Sequence, residues 1–200
     1  MTATASSQDG KGAPASAAGG LRPGILLDRD GTIIVDHGYV GSVDRVDIID
    51  GAPEAIARFN QASIPVAVVT NQAGVARGYY GLEDVAAVHE YLARKLAEHG
   101  AHIDLFVYCP YHPDGVVEGF ARTSEDRKPR PGMAKAAEAA LNLDLAASWV
   151  VGDRAEDLDL AEMVGASAVY IGPGECPRAD AWSFPSLAAA APFILERIIA

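Results

Sequence analysis

The 200-residue chain is poor in sulfur and in cations, and it has no long apolar run. Cys109 and Cys176 are its only cysteines, too few for a disulfide framework, which makes a reducing cytoplasm the simplest expectation. No hydrophobic stretch approaches the roughly 20 residues that a membrane span needs. Lys and Arg number 16 against 27 Asp and Glu, a formal net charge of -11. Such a balance disfavours non-specific binding to nucleic acid or to anionic lipid. Any anion the chain handles must meet a local concentration of cations. The opening MTATASSQDGKGAPASAAGG is small and polar with a single lysine, unlike a secretory signal or a transit peptide. Residues 1–22 read as a disordered tail and 23–200 as one domain.

What is present is a repeating alternation. Five apolar runs read as strands: Ile25–Leu27, Val66–Val69, Leu105–Tyr108, Trp149–Val151 and Ala168–Ile171. Helical spacing separates them: Pro53–Ala62, Leu82–His99 with Val85, Val88, Leu92 and Leu96 on one stripe, Pro131–Leu141, and Glu156–Val164. A last helix is expected over about Ser186–Ile199. Strands alternating with helices predict a Rossmann-like three-layer α/β/α fold on a parallel sheet. Ligands of such sheets bind beyond the carboxyl ends of the strands. No large cap domain is visible, only a short flap between Asp28 and Pro53 and loops beyond.

Polar residues follow the apolar runs. Asp28 and Asp30 follow the first, Thr70 and Asn71 the second, Gly152 and Asp153 the fourth, and Lys128 precedes the third helix. A parallel sheet brings all of them to one rim. Two carboxylates two positions apart repel, so a cation or a shared proton belongs nearby. Asp28, Asp30 and Asp153 make a hard oxygen-rich set suited to Mg²⁺. With Lys128 and the Thr70 hydroxyl, the set suits a tetrahedral phosphate. A carboxylate nucleophile at Asp28 and an acid–base group at Asp30 would split a slow hydrolysis into two easier steps. Each residue also has a plainer reading: Asp28, Asp30 and Asp153 as surface turns, Thr70 as a strand end, Lys128 as a surface lysine, and Asp157 as a helix cap or surface residue. His89, His99 and His102 read as helix or loop surface.

The residues carry a family resemblance. DRDGT after a strand, VVTN, RKPRPGM and VVGDRAEDLDLA, in that order, resemble the four motifs of the haloacid dehalogenase-like phosphohydrolases. LLDRDGTIIVDHGYV, VVTNQAGVARG, YCPYHP and DRKPRPGM are similar more narrowly to the D-glycero-D-manno-heptose-1,7-bisphosphate 7-phosphatases and their histidinol-phosphate phosphatase relatives. The resemblance implies a Mg²⁺-dependent phosphomonoesterase with a small phosphosugar substrate. It implies that Asp28, Arg29 and Asp30 hold phosphate and metal and that Asp153 ligates Mg²⁺. Asp36, His37, Gly38 and Tyr39 would contact sugar. Thr70, Asn71, Gln72, Ala73, Arg127 and Lys128 would bind substrate. Arg77 reads either as a ligand of a second phosphate or as a solvated loop residue. Arg154 stands where the family usually has lysine.

Members of that family often carry a structural zinc on Cys-x-His and Cys-x-Cys pairs. The corresponding residues here are Cys109, Tyr111, Ser124 and Asp126, with His112 displaced by one position. No structural zinc is expected, and Tyr111, Phe120 and the prolines are expected to order the loop from Pro110 to Asp126 instead. Whether Cys109, His112 and Asp126 retain any metal is open at this level. The expected state is a monomer without nucleic-acid or membrane partners. A non-catalytic phosphosugar sensor and a phosphotransferase are the readings from other classes.

Overall fold

The computed structural model describes residues 2–4 and 20–199. Its sheet has the order β1-β4-β3-β2-β5-β6-β7. The strands are β1 (Thr2–Thr4), β2 (Ile25–Leu27), β3 (Val66–Asn71), β4 (Leu105–Cys109), β5 (Trp149–Gly152), β6 (Ser167–Ile171) and β7 (Trp182–Phe184). All pairings from β2 to β7 are parallel, and β1 lies antiparallel along the β4 edge. The tail expected over 1–22 falls mostly on residues outside those described. Within it, Thr2–Thr4 is nonetheless a strand. Arg22 is also ordered, bridging to Leu143 and donating its N–H to the Asn142 carbonyl at 3.2 Å.

Strand residues alternate between two cores, as the period of two requires. Ile25, Leu27, Val66, Val68 and Phe106 face α1 (Ala52–Gln61), α2 (Leu82–Ala97) and α5 (Leu187–Ile198), packing on Phe59, Leu92 and Ile194. Leu26, Ala67, Val69, Val107 and Val150 face α3 (Gly132–Leu141) and α4 (Ala155–Val164), packing on Met133, Ala134 and Leu160. Both faces of the sheet are covered, which is why its strands read as continuous apolar runs.

The ends of the helices follow local chemistry. Ser186 caps α5 by accepting from the Ala189 N–H. Asp157 caps α4 by accepting from the Arg154 N–H at 3.1 Å. Asn142, at φ 56°, ends α3 in the left-handed conformation. Pro131 is the N-cap of α3 rather than its first residue.

Chain order sets the position of the site. From β2 the sheet extends through β3 to β4 on one side and through β5, β6 and β7 on the other. The direction therefore reverses between β2 and β5, and the crevice beyond their carboxyl ends is where such sheets take ligands.

Candidate active site

A cavity of about 230 Å³ opens at this switch point. Asp28, Asp30, Asp36, Gly38, Tyr39, Thr70, Asn71, Gln72, Ala73, Arg127 and Arg154 all line it, although they come from four separate parts of the chain. Val40, Tyr80, His112 and Glu156 line it too; sequence reasoning named Val40 and His112 only within the flap and the loop expected to set specificity, His112 also as a candidate metal ligand, and missed Tyr80 and Glu156. Lys128 and Asp153 lie in the wall behind.

The charge pattern is ordered by two buried cations. Lys128 Nζ lies 2.9 Å from Asp28 Oδ1 and 2.6 Å from Asp157 Oδ1, with its side chain 1% exposed. Burial alone would lower the Lys128 ammonium. The carboxylates of Asp157 and Asp28 outweigh that burial and hold it above its ordinary value. Asn71 fixes the Lys128 backbone from both sides. Its Oδ1 accepts from the Lys128 N–H at 3.0 Å, and its Nδ2 donates to the Lys128 carbonyl at 3.3 Å.

Arg29 is the second cation and is fully buried. It donates to both oxygens of Asp30 at 3.0 and 3.1 Å, to the Val40 carbonyl at 2.8 Å and to Gln72 Oε1 at 3.0 Å. Its guanidinium therefore faces the flap and Gln72, not the cavity. Burial raises the Asp30 carboxyl above its usual range, with the Arg29 charge opposing.

Asp28, Asp153 and Asp157 present carboxylate oxygens within 4.8 Å of one another. Both oxygens of Asp157 are engaged, by Lys128 and by the Arg154 N–H. Asp153 Oδ1 is buried with no hydrogen-bond partner. Burial, and after it the Asp28 charge, push the Asp153 carboxyl up to about 6. An orphaned buried carboxylate oxygen beside a second acid is a donor set that fits Mg²⁺. A Cβ on Gly31, which sits at φ 82°, would overlap the Asp153 carboxylate, so glycine permits the approach. Asp30 lies outside this trio, because Arg29 and Gln72 take up its carboxylate. Asp157 is inside it and fully buried, where sequence suggested a helix-surface or capping residue. It does cap α4, and in doing so it turns inward to hold Lys128.

The flap is held mainly by its own backbone. Ile34 bridges to Ile48 and Asp30 to Ile34. Arg45 donates to the carbonyls of His37, Gly38 and Tyr39 at 2.6, 3.1 and 3.2 Å. Asp36 pairs with Arg154 Nη2 at 2.6 Å, so these two site candidates bind each other across the cavity mouth. His37 is exposed and pairs with Asp47 at 2.7 Å, away from the cavity. Arg77 does not line the cavity either; its guanidinium stands 6.0 Å from the Tyr39 ring centre.

Residues 126–196 match the family model described as HAD-hydrolase-like. D-glycero-beta-D-manno-heptose-1,7-bisphosphate 7-phosphatase of Yersinia pestis is 45% identical over 139 residues, 70% of this chain and 74% of that one. The chain belongs to the haloacid dehalogenase-like phosphatases, in the heptose-1,7-bisphosphate 7-phosphatase family. It is a phosphoric monoester hydrolase. The phosphatase of the same name from Salmonella typhi is 39% identical over 172 residues, 83% of this chain and 92% of that one. The structure of D,D-heptose 1,7-bisphosphate phosphatase from B. bronchiseptica, complexed with magnesium and phosphate, superposes with a TM-score of 0.77 at 32% identity. That match covers 87% of this chain and 98% of the other.

The loop after β4 departs from a zinc-binding pattern. Cys109 is buried, its thiol donates to the Tyr111 carbonyl at 3.8 Å, and burial raises its pKa against the thiolate. Tyr111 and Ser124 are poor zinc ligands, so the residues present do not fit a structural zinc. Among the described residues, the only His, Cys, Asp or Glu group placed to hold a metal is the aspartate trio. In this phosphatase Tyr111 stacks on Phe120 at 5.9 Å, and the Arg122 guanidinium lies 4.0 Å from the Tyr111 ring centre. That stack spans the loop.

His89 overturns its surface assignment. It is 3% exposed in α2, stacked on Phe106 at 4.7 Å, with neither ring nitrogen hydrogen-bonded. Helical spacing contained the signal. His89 is four residues after Val85 and three before Leu92, on the stripe that those residues define. His99 and His102 are exposed, beside Glu54 and Asp104.

Proposed function

We propose that this phosphatase removes the 7-phosphate of D-glycero-D-manno-heptose 1,7-bisphosphate in a Mg²⁺-dependent reaction through an aspartyl phosphate on Asp28. The observation that carries the reading is the convergence of Asp28, Lys128 and Asp153, with its buried unpaired Oδ1, beside a cavity at the strand ends. The relatives' shared activity supports the substrate. Residues 23–200 would form the single domain that does this.

In this reading an Asp28 carboxylate oxygen forms a bond to phosphorus. The bond from phosphorus to the sugar oxygen breaks, and the departing alkoxide takes its proton from Asp30. Water then attacks the same phosphorus. Asp30 takes a proton from that water, and inorganic phosphate leaves as the Asp28 carboxylate is restored. Thr70 and Lys128 face the charge of the transferring group. Asp28 and Asp153 would hold Mg²⁺, which supplies Lewis-acid polarisation of a phosphoryl oxygen and offsets the clustered charge. Gly38, Tyr39, Gln72, Ala73, Arg127 and Arg154 would define the sugar subsite, with Asp36 acting through Arg154. A nucleophile and a proton donor are both present, which argues against a phosphosugar sensor.

A panel of phosphorylated heptoses, hexoses and histidinol phosphate, assayed with Mg²⁺ for kcat/KM, tests the reading. Heptose 1,7-bisphosphate is expected to be the best substrate, with release abolished in Asp28→Asn. Faster cleavage of histidinol phosphate or of a hexose phosphate would overturn the substrate. Undiminished turnover in Asp28→Asn would overturn the mechanism.

A further inference from the structure

Gln72 sits just past β3 and joins the groups that the reaction needs. Its Nε2 donates to Asp30 Oδ2 and to Thr70 Oγ1, each at 2.9 Å. Those two contacts require the amide oxygen to point the other way, towards donors. Arg29 Nη2 is one, at 3.0 Å, but it carries only two hydrogens and also serves Asp30 Oδ1 and the Val40 carbonyl. Arg29 therefore gives the amide only a share. The second donor is the Tyr80 hydroxyl, 2.8 Å from Gln72 Oε1.

Tyr80 is built into that position. Its ring lies in a slot between the flap and the loop after β3, where a Cβ on Gly41 or on Gly74 would overlap it. Burial pushes its phenol up to about 12, so the hydroxyl keeps its proton at any working pH. The ring also walls the reaction cavity and the neighbouring pocket lined by Tyr39, Ser42 and Arg45.

We propose that Tyr80 is a positioning residue for the reaction: its hydroxyl locks the orientation of the Gln72 amide, and the amide aims Asp30 at the leaving oxygen. This rests on Asp30 being the proton donor. Misdirection of Asp30 weakens the bond-breaking step only where the leaving group needs a proton; the later water step, which Asp30 also serves, is common to every substrate and lies outside kcat/KM. An alkoxide needs that proton; p-nitrophenolate does not.

The test is Tyr80→Phe, which keeps the ring in its glycine slot and removes one oxygen. Steady-state kinetics with Mg²⁺ compare heptose 1,7-bisphosphate with p-nitrophenyl phosphate. The expected result is a kcat/KM on the sugar phosphate lower by roughly tenfold, with kcat/KM on p-nitrophenyl phosphate within about twofold. Asp30→Asn, run beside it, separates the two claims. Equal losses of kcat/KM on both substrates in Asp30→Asn would remove the proton-donor reading itself. Discrimination in Asp30→Asn with none in Tyr80→Phe would overturn the role of Tyr80 alone. In a Gln72→Met background, Tyr80→Phe is expected to change nothing further, because the group it holds is gone. An undiminished, additive effect there would equally overturn the proposal.

Discussion

Replacing Lys128 by methionine removes a buried positive charge at nearly constant volume. The ammonium touches Asp28 at 2.9 Å and Asp157 at 2.6 Å, and Asp153 shares the same small volume. Without it, three carboxylates face one another behind the cavity with no cation hydrogen-bonded to any of them, and only the Arg154 charge, paired to Asp36, acts on Asp153. Breaking a buried pair in this way costs about 3–5 kcal/mol, chiefly because the abandoned charges remain desolvated. Against a total stability of about 5–15 kcal/mol that is a large fraction. At about 2–4 °C per kcal/mol for a chain of this size, Tm falls by roughly 6–20 °C.

The assay is calorimetry in chelator, then with Mg²⁺. A cation that binds only the folded state stabilises it by mass action, and the variant's uncompensated site gives the ion more to offset. Mg²⁺ therefore raises the Tm of Lys128→Met more than that of the parent. The double variant Lys128→Met with Asp157→Leu is expected to recover most of the loss, since an apolar pair replaces an ionic one. A single variant melting within about 2 °C of the parent in chelator would refute the reasoning. A double variant no more stable than the single would do the same.

Burial, and after it the Arg29 charge, hold the His89 imidazole well below its ordinary 6.5. The unfolded chain therefore gains a proton below about pH 6.5 that the folded one refuses, so stability is complete above that pH. It drops by about 1.4 kcal/mol per unit beneath, until the folded imidazole itself titrates. His89→Leu is expected to flatten that part of the Tm-against-pH curve, and equal slopes in the two proteins would contradict this. Arg45→Met removes three hydrogen bonds to the flap carbonyls. KM is expected to rise roughly three- to tenfold with kcat little changed, as steady-state kinetics will show. Arg122→Ala strips the cation from the Tyr111 face, and proteolysis within residues 110–126 is expected to quicken about fivefold, whereas chelator leaves the parent's loop unaffected.

The parallel strands and the covering helices could be read because buried strands leave short apolar runs and amphipathic helices leave a stripe. β7 could not. Trp182 and Ser183 are exposed on an edge strand of three residues, after a loop rich in Gly and Pro, and no alternation develops over so short a span. The rim was predictable once the sheet was taken as parallel, since Asp28, Thr70 and Asp153 all end strands. What sequence did not reveal was the partnering among charges. Arg29 and Lys128 look alike as cations beside acids. One turns back into the flap and the other passes between two carboxylates, and that choice is made by tertiary packing. Tyr80 was invisible for the same reason: its partner, Gln72, lies eight residues away across a turn held by glycine.

The two aspartates of DRD illustrate how the fold handles like charges placed close together. They do not share a counterion. Asp30 takes Arg29, the residue between them, and Asp28 takes Lys128 from a segment a hundred residues away. Asp157 takes the same lysine. Asp153 has a buried oxygen with no partner, and its neighbour Arg154 turns to Asp36. Four carboxylates thus meet two buried cations, leaving two negative charges in excess, and the unsatisfied oxygen marks where that excess lies. Burial, and after it the Asp28 charge, raise the Asp153 carboxyl, and the Arg154 charge offsets only part of that. One divalent cation would close the balance at that point, while the Asp30 carboxylate, held by Arg29 and Gln72, stays clear of it.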